Sequence, residues 1–169
     1  RNIFGKVDYK MLPGSSDDLS VLEISIEEKA TGEIMAGAGI GTDGTNIFMS
    51  VSENNWLGKG IKLETSAALT KERIIGSFLI VNPNYNYSGN SARAGFDISA
   101  TDRTASSGFK SSRTGFELGT GFEQYENVFF APKITAAYED IEVESSASTA
   151  IKNMEGSYLN MDLTYGITL

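Results

Sequence analysis

From about Gly60 to Leu169 the chain alternates apolar and polar residues with a period of two, stretch after stretch, and this limits what it can fold into. In the last stretch Leu159, Met161, Leu163, Tyr165, Ile167 and Leu169 share one side, while Asn160, Asp162, Thr164, Gly166 and Thr168 share the other. Successive side chains of a β-strand point to opposite faces, so a period of two is a strand signature. The apolar side is unbroken, and the other side is too polar to line a dry sandwich core. Six or seven such strands, oily on one face and wet on the other, point to an antiparallel membrane-spanning β-barrel with apolar residues outside and polar residues within.

Composition agrees with this class and excludes others. The 169 residues are 40% hydrophobic, and no run approaches the ~18 to 20 apolar residues of a membrane helix. Helical spans are therefore excluded, whereas barrel strands need only about 9 to 11 residues with every other one apolar. The chain has no Cys and no His, which removes disulfides, thiolate metal sites, His-based triads and imidazole switches. A net charge of −8 leaves no basic stripe for a phosphate backbone, so nucleic acid is not an expected partner.

Residues 1–32 read differently from the rest. Val7 to Leu12, a turn through Pro13, Gly14, Ser15, Ser16, Asp17 and Asp18, and then Leu19 to Glu28 form an expected hairpin, the end of a small soluble domain. Lys29 to Gly32 link it to residues 33–169, the barrel part. There, strands are expected at about 33–42 and 45–54, joined by Asp43-Gly44, a favoured tight-hairpin pair. Further turns are expected at Asn54 to Gly60, Thr70 to Glu72, Asn82 to Asn90, about 102–112, Gln124 to Asn127 and about 142–156. Both long loops fall on one side, and bacterial barrels carry their longer loops outside the cell. That parity places the amino-terminal hairpin in the periplasm. The first residue is Arg1 and Leu169 lies within an alternating segment, so both ends are expected to be cuts in a longer protein.

The expected periplasmic ends are rich in rings: Trp56, Tyr85, Tyr87, Tyr125, Phe129 and Phe130. Amphipathic rings favour the headgroup level, and these residues read as one aromatic girdle. The same alternation turns Leu63, Ile74, Phe78, Phe96, Phe116 and Ile134 outward, and Lys62, Glu64, Arg93, Asp97, Glu117, Lys133, Glu139 and Asp162 inward.

The motifs that suggest chemistry are weak. Gly39 to Gly44 satisfies G-x-G-x-x-G, but a nucleotide site needs a following helix, and a strand is expected from Thr45 to Val51. Glu139, Asp140, Glu142 and Glu144 are acidic, yet lack the spacing and glycine of a calcium loop. No nucleophile with an adjacent base emerges, so the chain is not expected to be an enzyme, and no cofactor or metal is expected. Gly37, Gly39 and Gly41 share one face of the first barrel strand. They either fit a crowded lumen or mark a strand that pairs weakly and can open to another chain.

A family resemblance rests on particular residues. Ser52-Glu53-Asn54-Asn55-Trp56-Leu57-Gly58-Lys59-Gly60, preceded by Gly37 to Thr42 and followed by Val81 to Tyr85, resembles the opening of the barrel in the BamA family of outer-membrane protein assembly factors. Leu12 to Ser15 and Ile24 to Gly32 are similar to the end of that family's last periplasmic POTRA domain. The resemblance implies a POTRA-like segment over residues 1–32, and over 33–169 about eight strands, the first half of a barrel of about 16. It implies assembly and insertion of β-barrel proteins into a Gram-negative outer membrane. The seam would be Ile34, Met35, Ala36, Gly37, Ala38, Gly39, Ile40, Gly41 and Thr42, and the periplasmic turn motif Asn54, Asn55, Trp56, Leu57 and Gly58. Implied partners are unfolded barrel clients, assembly-complex lipoproteins and outer-membrane lipid. Alternatives are a self-closed eight-stranded structural or adhesive barrel, and a TamA-like translocation and assembly factor.

Overall fold

The computed structural model describes residues 3–16, 18–41 and 44–169. Asp17 of the first turn, Thr42 of the seam and Asp43 of the first tight hairpin lie outside the described residues.

Alternating sequence becomes strand throughout. The first two strands, β1 (Phe4–Pro13) and β2 (Ser20–Glu28), form an antiparallel hairpin of their own. The other eight are β3 (Gly32–Gly41), β4 (Gly44–Trp56), β5 (Ile61–Thr70), β6 (Arg73–Asn82), β7 (Ser91–Asp102), β8 (Phe109–Tyr125), β9 (Val128–Val143) and β10 (Gly156–Thr168). Each pairs antiparallel with its neighbours in the chain, giving one eight-stranded sheet whose edges are β3 and β10. Among the described residues these edges do not pair with each other, so the eight strands are not closed on themselves. Two single-turn helices, α1 (Thr104–Ser107) and α2 (Thr149–Lys152), sit in the β7–β8 and β9–β10 connections.

The register carries the alternation across strands. Leu163 lies opposite Ile134, Ile134 opposite Leu118, and Leu118 opposite Ala94. The row continues from Ala94 to Ile80 and from Ile80 to Leu63. Paired residues share a face, so the apolar sides of separate strands merge into one surface. Phe96 and Phe116 meet on it with ring centroids 5.0 Å apart. The surface is not covered: Leu159, Met161 and Leu163 remain 69%, 68% and 69% exposed, and Ala137 is the one buried apolar residue among those described. A sheet in water would bury such a face against a second layer. An apolar face this broad fits contact with lipid.

The opposite face is polar where the alternation is strict, but β6 brings Ile75, Leu79 and Val81 to it. Two bulges change the direction of aromatic residues. The register shifts by one between Glu53 and Trp56, so Trp56 lies opposite Ile61 on the apolar side. A similar shift between Glu123 and Tyr125 sets Tyr125 opposite Val128. Without the bulges both rings would face the polar side.

The expected loop at 102–112 is shorter, because strand takes in Asp102 and resumes at Phe109. Asp102 pairs with Lys110 and Thr101 with Ser111, leaving only Arg103 to Gly108 as the connection. The polar run there resembles loop composition, but a ladder needs only backbone groups. The acidic segment likewise continues as β9 to Val143.

Candidate functional site

The edge strand β3 is built from small residues. Ile34, Ala36, Ala38 and Ile40 lie opposite Val51, Met49, Ile47 and Thr45, which places them on the apolar face. Glu33, Met35, Gly37, Gly39 and Gly41 take the polar face. The three glycines are not equivalent. The ring of Phe48 lies across Gly37, where a Cβ would fall 2.6 Å from its Cζ. At Gly39 and Gly41 a Cβ would meet nothing within 4 Å. Gly37 therefore has a packing reason, whereas Gly39 and Gly41 leave the backbone freer than any other residue would. One side of β3 is bonded to β4, and its other side has no strand partner among the described residues.

The start of β3 is tied down. Thr31 Oγ1 donates to Glu53 Oε1 at 2.5 Å, and the same oxygen accepts the Asn55 backbone N–H at 2.7 Å. Asn54 returns the contact by donating its backbone N–H and its Nδ2 to the Thr31 carbonyl, at 3.2 and 3.1 Å. Gly32 makes room, since a Cβ there would sit 2.8 Å from Glu53 Oε2. Asn55 Oδ1 accepts from the Gly60 N–H at 2.7 Å, closing a turn in which Leu57, Gly58 and Gly60 have positive φ. Of the turn motif, Asn54 and Asn55 thus hold the geometry and Trp56 is re-aimed by the bulge. Leu57 and Gly58 supply the left-handed backbone. Thr31, Gly32 and Glu53 complete the arrangement and were not among the expected site residues. The only sequence signal for them is that Glu53 opens the Asn-Asn-Trp segment.

On the polar face, glycine and charge alternate across β7 and β8. Arg93 lies opposite Gly119, Glu117 opposite Gly95, and Asp97 opposite Gly115. Each glycine gives a charged side chain space to lie across the sheet and reach a diagonal partner. Arg93 Nη2 pairs with Glu117 Oε1 at 2.5 Å, Lys133 Nζ approaches Glu117 Oε2 at 3.5 Å, and Arg113 pairs with Asp97. Lys62 pairs with Glu64 at 2.7 Å. Asp162 receives a long hydrogen bond from Thr135 Oγ1 at 3.5 Å, and Glu139 lies opposite Arg113. These ion pairs neutralise charge locally across the polar face.

The ring residues occupy one end of the sheet, at the β4–β5, β6–β7 and β8–β9 turns. Phe122 and Phe130 stack with centroids 6.2 Å apart on the apolar side, and Phe129, one residue away, takes the polar side. Tyr85 and Tyr87 lie in a 3-10 turn, with Tyr87 at φ 56° and 92% exposed. The acidic residues separate: alternation along β9 puts Glu139 on one face and Asp140 and Glu142 on the other, and Ser157 Oγ donates to Asp140. Among the described residues no three His, Cys, Asp or Glu side chains gather as a metal site.

A solved structure is similar in fold. The crystal structure of BamA from Haemophilus ducreyi lacking POTRA domains 1–3 matches 98% of this chain with a TM-score of 0.71 at 18% identity. The fold is therefore a BamA-like one. The match covers 34% of that chain, so the sequence spans about a third of the length of its structural neighbour. No family model matches the sequence.

Proposed function

We propose that this chain belongs to a machine that assembles and inserts β-barrel proteins into a bacterial outer membrane, with β3 as the strand that templates clients. The observation that carries this reading is the edge of β3, which has no strand partner among the described residues, on a glycine-rich strand of a sheet whose apolar face suits lipid. Backbone groups on an open edge are costly in hydrocarbon, so a client strand that pairs with them is stabilised without a fuel molecule. Ile34 through Gly41 supply the pairing surface, by strand addition of the kind used in peptide recognition.

In this reading the apolar face contacts outer-membrane lipid, and Trp56, Tyr85, Tyr87, Tyr125, Phe129 and Phe130 mark the periplasmic interface. The β1–β2 hairpin lies in the periplasm as part of a POTRA-like domain, where assembly-complex lipoproteins are the expected partners. The activity is not enzymatic and needs no cofactor. The fold likeness to BamA supports this reading over a structural or adhesive barrel, which would need β3 and β10 to pair.

The test is site-specific photocrosslinking. A benzophenone amino acid at Ala36, Ala38 or Ile40 is expected to capture a radiolabelled nascent barrel protein, while the same probe at Ile74 or Ile98, inside the sheet, captures none. Equal capture at both sets of positions, or capture at Ile74 alone, contradicts templating at β3.

A further inference from the structure

We propose that the β4–β5 and β6–β7 connections are one turn built twice, and that each holds a bulky side chain, Leu57 in the first and Tyr87 in the second, in the phospholipid headgroup layer at the ring-rich end of the sheet. Each turn opens on an asparagine whose side chain reaches a glycine five residues on. Asn55 Oδ1 accepts the Gly60 N–H at 2.7 Å, and Asn84 Oδ1 accepts the Gly89 N–H at 2.8 Å. The Asn55 carbonyl accepts the Gly58 N–H at 2.9 Å, and the Asn84 carbonyl accepts the Tyr87 N–H at 3.2 Å. A ring follows each asparagine, Trp56 in one turn and Tyr85 in the other. The next two residues have positive φ, at 56° and 70° for Leu57 and Gly58, and at 52° and 56° for Asn86 and Tyr87.

Left-handed backbone suits Gly58 and Asn86, but in Leu57 and Tyr87 it presses the Cβ against the chain's own backbone and costs stability. That cost is avoided at the opposite end of the sheet. There, among the described residues, every positive φ in a connection belongs to glycine, namely Gly44, Gly108 and Gly156. Strain kept at a turn tip where glycine would relieve it points to a use for the side chain. Packing within the chain does not supply that use, since Leu57 is 74% and Tyr87 92% exposed. Lipid does. Trp56 lies on the apolar side opposite Ile61, so Leu57, its neighbour in the chain, carries that surface past the end of the strand. The headgroup layer receives an apolar side chain beside a ring, and it favours a phenol whose hydroxyl stays wet. The inference rests on the lipid-facing reading of the apolar side proposed above.

The experiment is NMR of the methyl groups and rings of the unsubstituted full chain, folded in nanodiscs of phosphatidylethanolamine and phosphatidylglycerol. Two relaxation agents are compared, a phosphatidylcholine spin-labelled at carbon 5 of its acyl chain and a water-soluble gadolinium chelate. The spin-labelled lipid is expected to enhance relaxation of the Leu57 methyls and the Tyr87 ring at least about threefold more than that of the Ile75 methyls on the polar face. Asn55→Ala should reduce the enhancement at Leu57 by about half and leave Tyr87 unchanged, and Asn84→Ala should do the opposite. The Leu163 methyls, mid-strand on the apolar face, report folding and membrane contact in every sample. Enhancement by lipid at Leu163, with Leu57 and Tyr87 answering only to the gadolinium chelate, overturns the turn inference and leaves the lipid-facing sheet standing. Enhancement at Leu57 and Tyr87 without enhancement at Leu163 would do the reverse. Loss at both turns in either single variant would contradict two turns that are each built by their own asparagine.

Discussion

Glycine serves opposite purposes at two places on the polar face. Gly119 lies under Arg93, where a Cβ would come within 2.9 Å of Arg93 Cγ and 3.1 Å of the Pro132 carbonyl oxygen. Gly119→Val should therefore displace the Arg93–Glu117 pair and cost about 1–3 kcal/mol, measured by urea unfolding in vesicles. Gly39 has open space, so Gly39→Ala should be neutral or stabilise by about 0.4–1 kcal/mol, because a more restricted unfolded chain loses less on folding. A reversed order of the two variants would refute this account of the polar face. Asp18 offers a pH-dependent check outside the barrel strands. Ser16 Oγ donates to its carboxylate at 2.7 Å and, with a backbone hydrogen bond, holds its pKa below the ordinary value. A lowered folded pKa stabilises the β1–β2 turn above the unfolded value, and the contribution disappears as pH falls through the folded one. In an NMR titration Ser16→Ala should raise the Asp18 midpoint toward the ordinary carboxylate value. The Gly37, Gly39 and Gly41 stripe was visible in the sequence, but its division into one packed and two open positions was not. That division depends on Phe48, which lies opposite only once β3 and β4 are in register.

At the scale of the strand, the two faces predict opposite tolerances at neighbouring positions. Leu163 lies mid-strand in β10, opposite Ile134 on the apolar face, and Thr164 lies opposite Lys133 on the polar one. Leu163→Arg should cost about 2–4 kcal/mol of folding stability in a bilayer, whereas Thr164→Arg should be tolerated far better, in unfolding titrations of the two variants. Equal costs would mean that the apolar face does not meet lipid. Strand existence and strand face were legible because the period of two persists through Leu159 to Leu169 and its predecessors. Strand ends were less legible. Asp102 and Lys110 read as loop because polar residues occupy both faces there, yet they pair as strand. The bulges after Glu53 and Glu123 left no mark in the alternation, although they decide which way Trp56 and Tyr125 point.

At the scale of the molecule, the ten strands among the described residues divide into a hairpin and an eight-stranded sheet, open within those residues, with one apolar and one largely polar face. The order of strands follows from short connections between chain neighbours, a rule that applies to any antiparallel meander. The open edges do not follow from that rule, because closure depends on whether β3 and β10 meet, and alternation is the same in either case. The arrangement is BamA-like, and the exposed apolar face fits contact with lipid. The central claim is that the sheet meets lipid on one side and water on the other. It is tested most directly by spin labels placed one at a time on cysteines introduced at Phe116, Glu117 and Leu118 of β8, with the protein in vesicles. Collision with oxygen, which partitions into lipid, is predicted to be high at Phe116 and Leu118, and collision with a water-soluble nickel complex high at Glu117. Loss of this alternation, with all three positions open to the nickel complex, would contradict a membrane-spanning sheet.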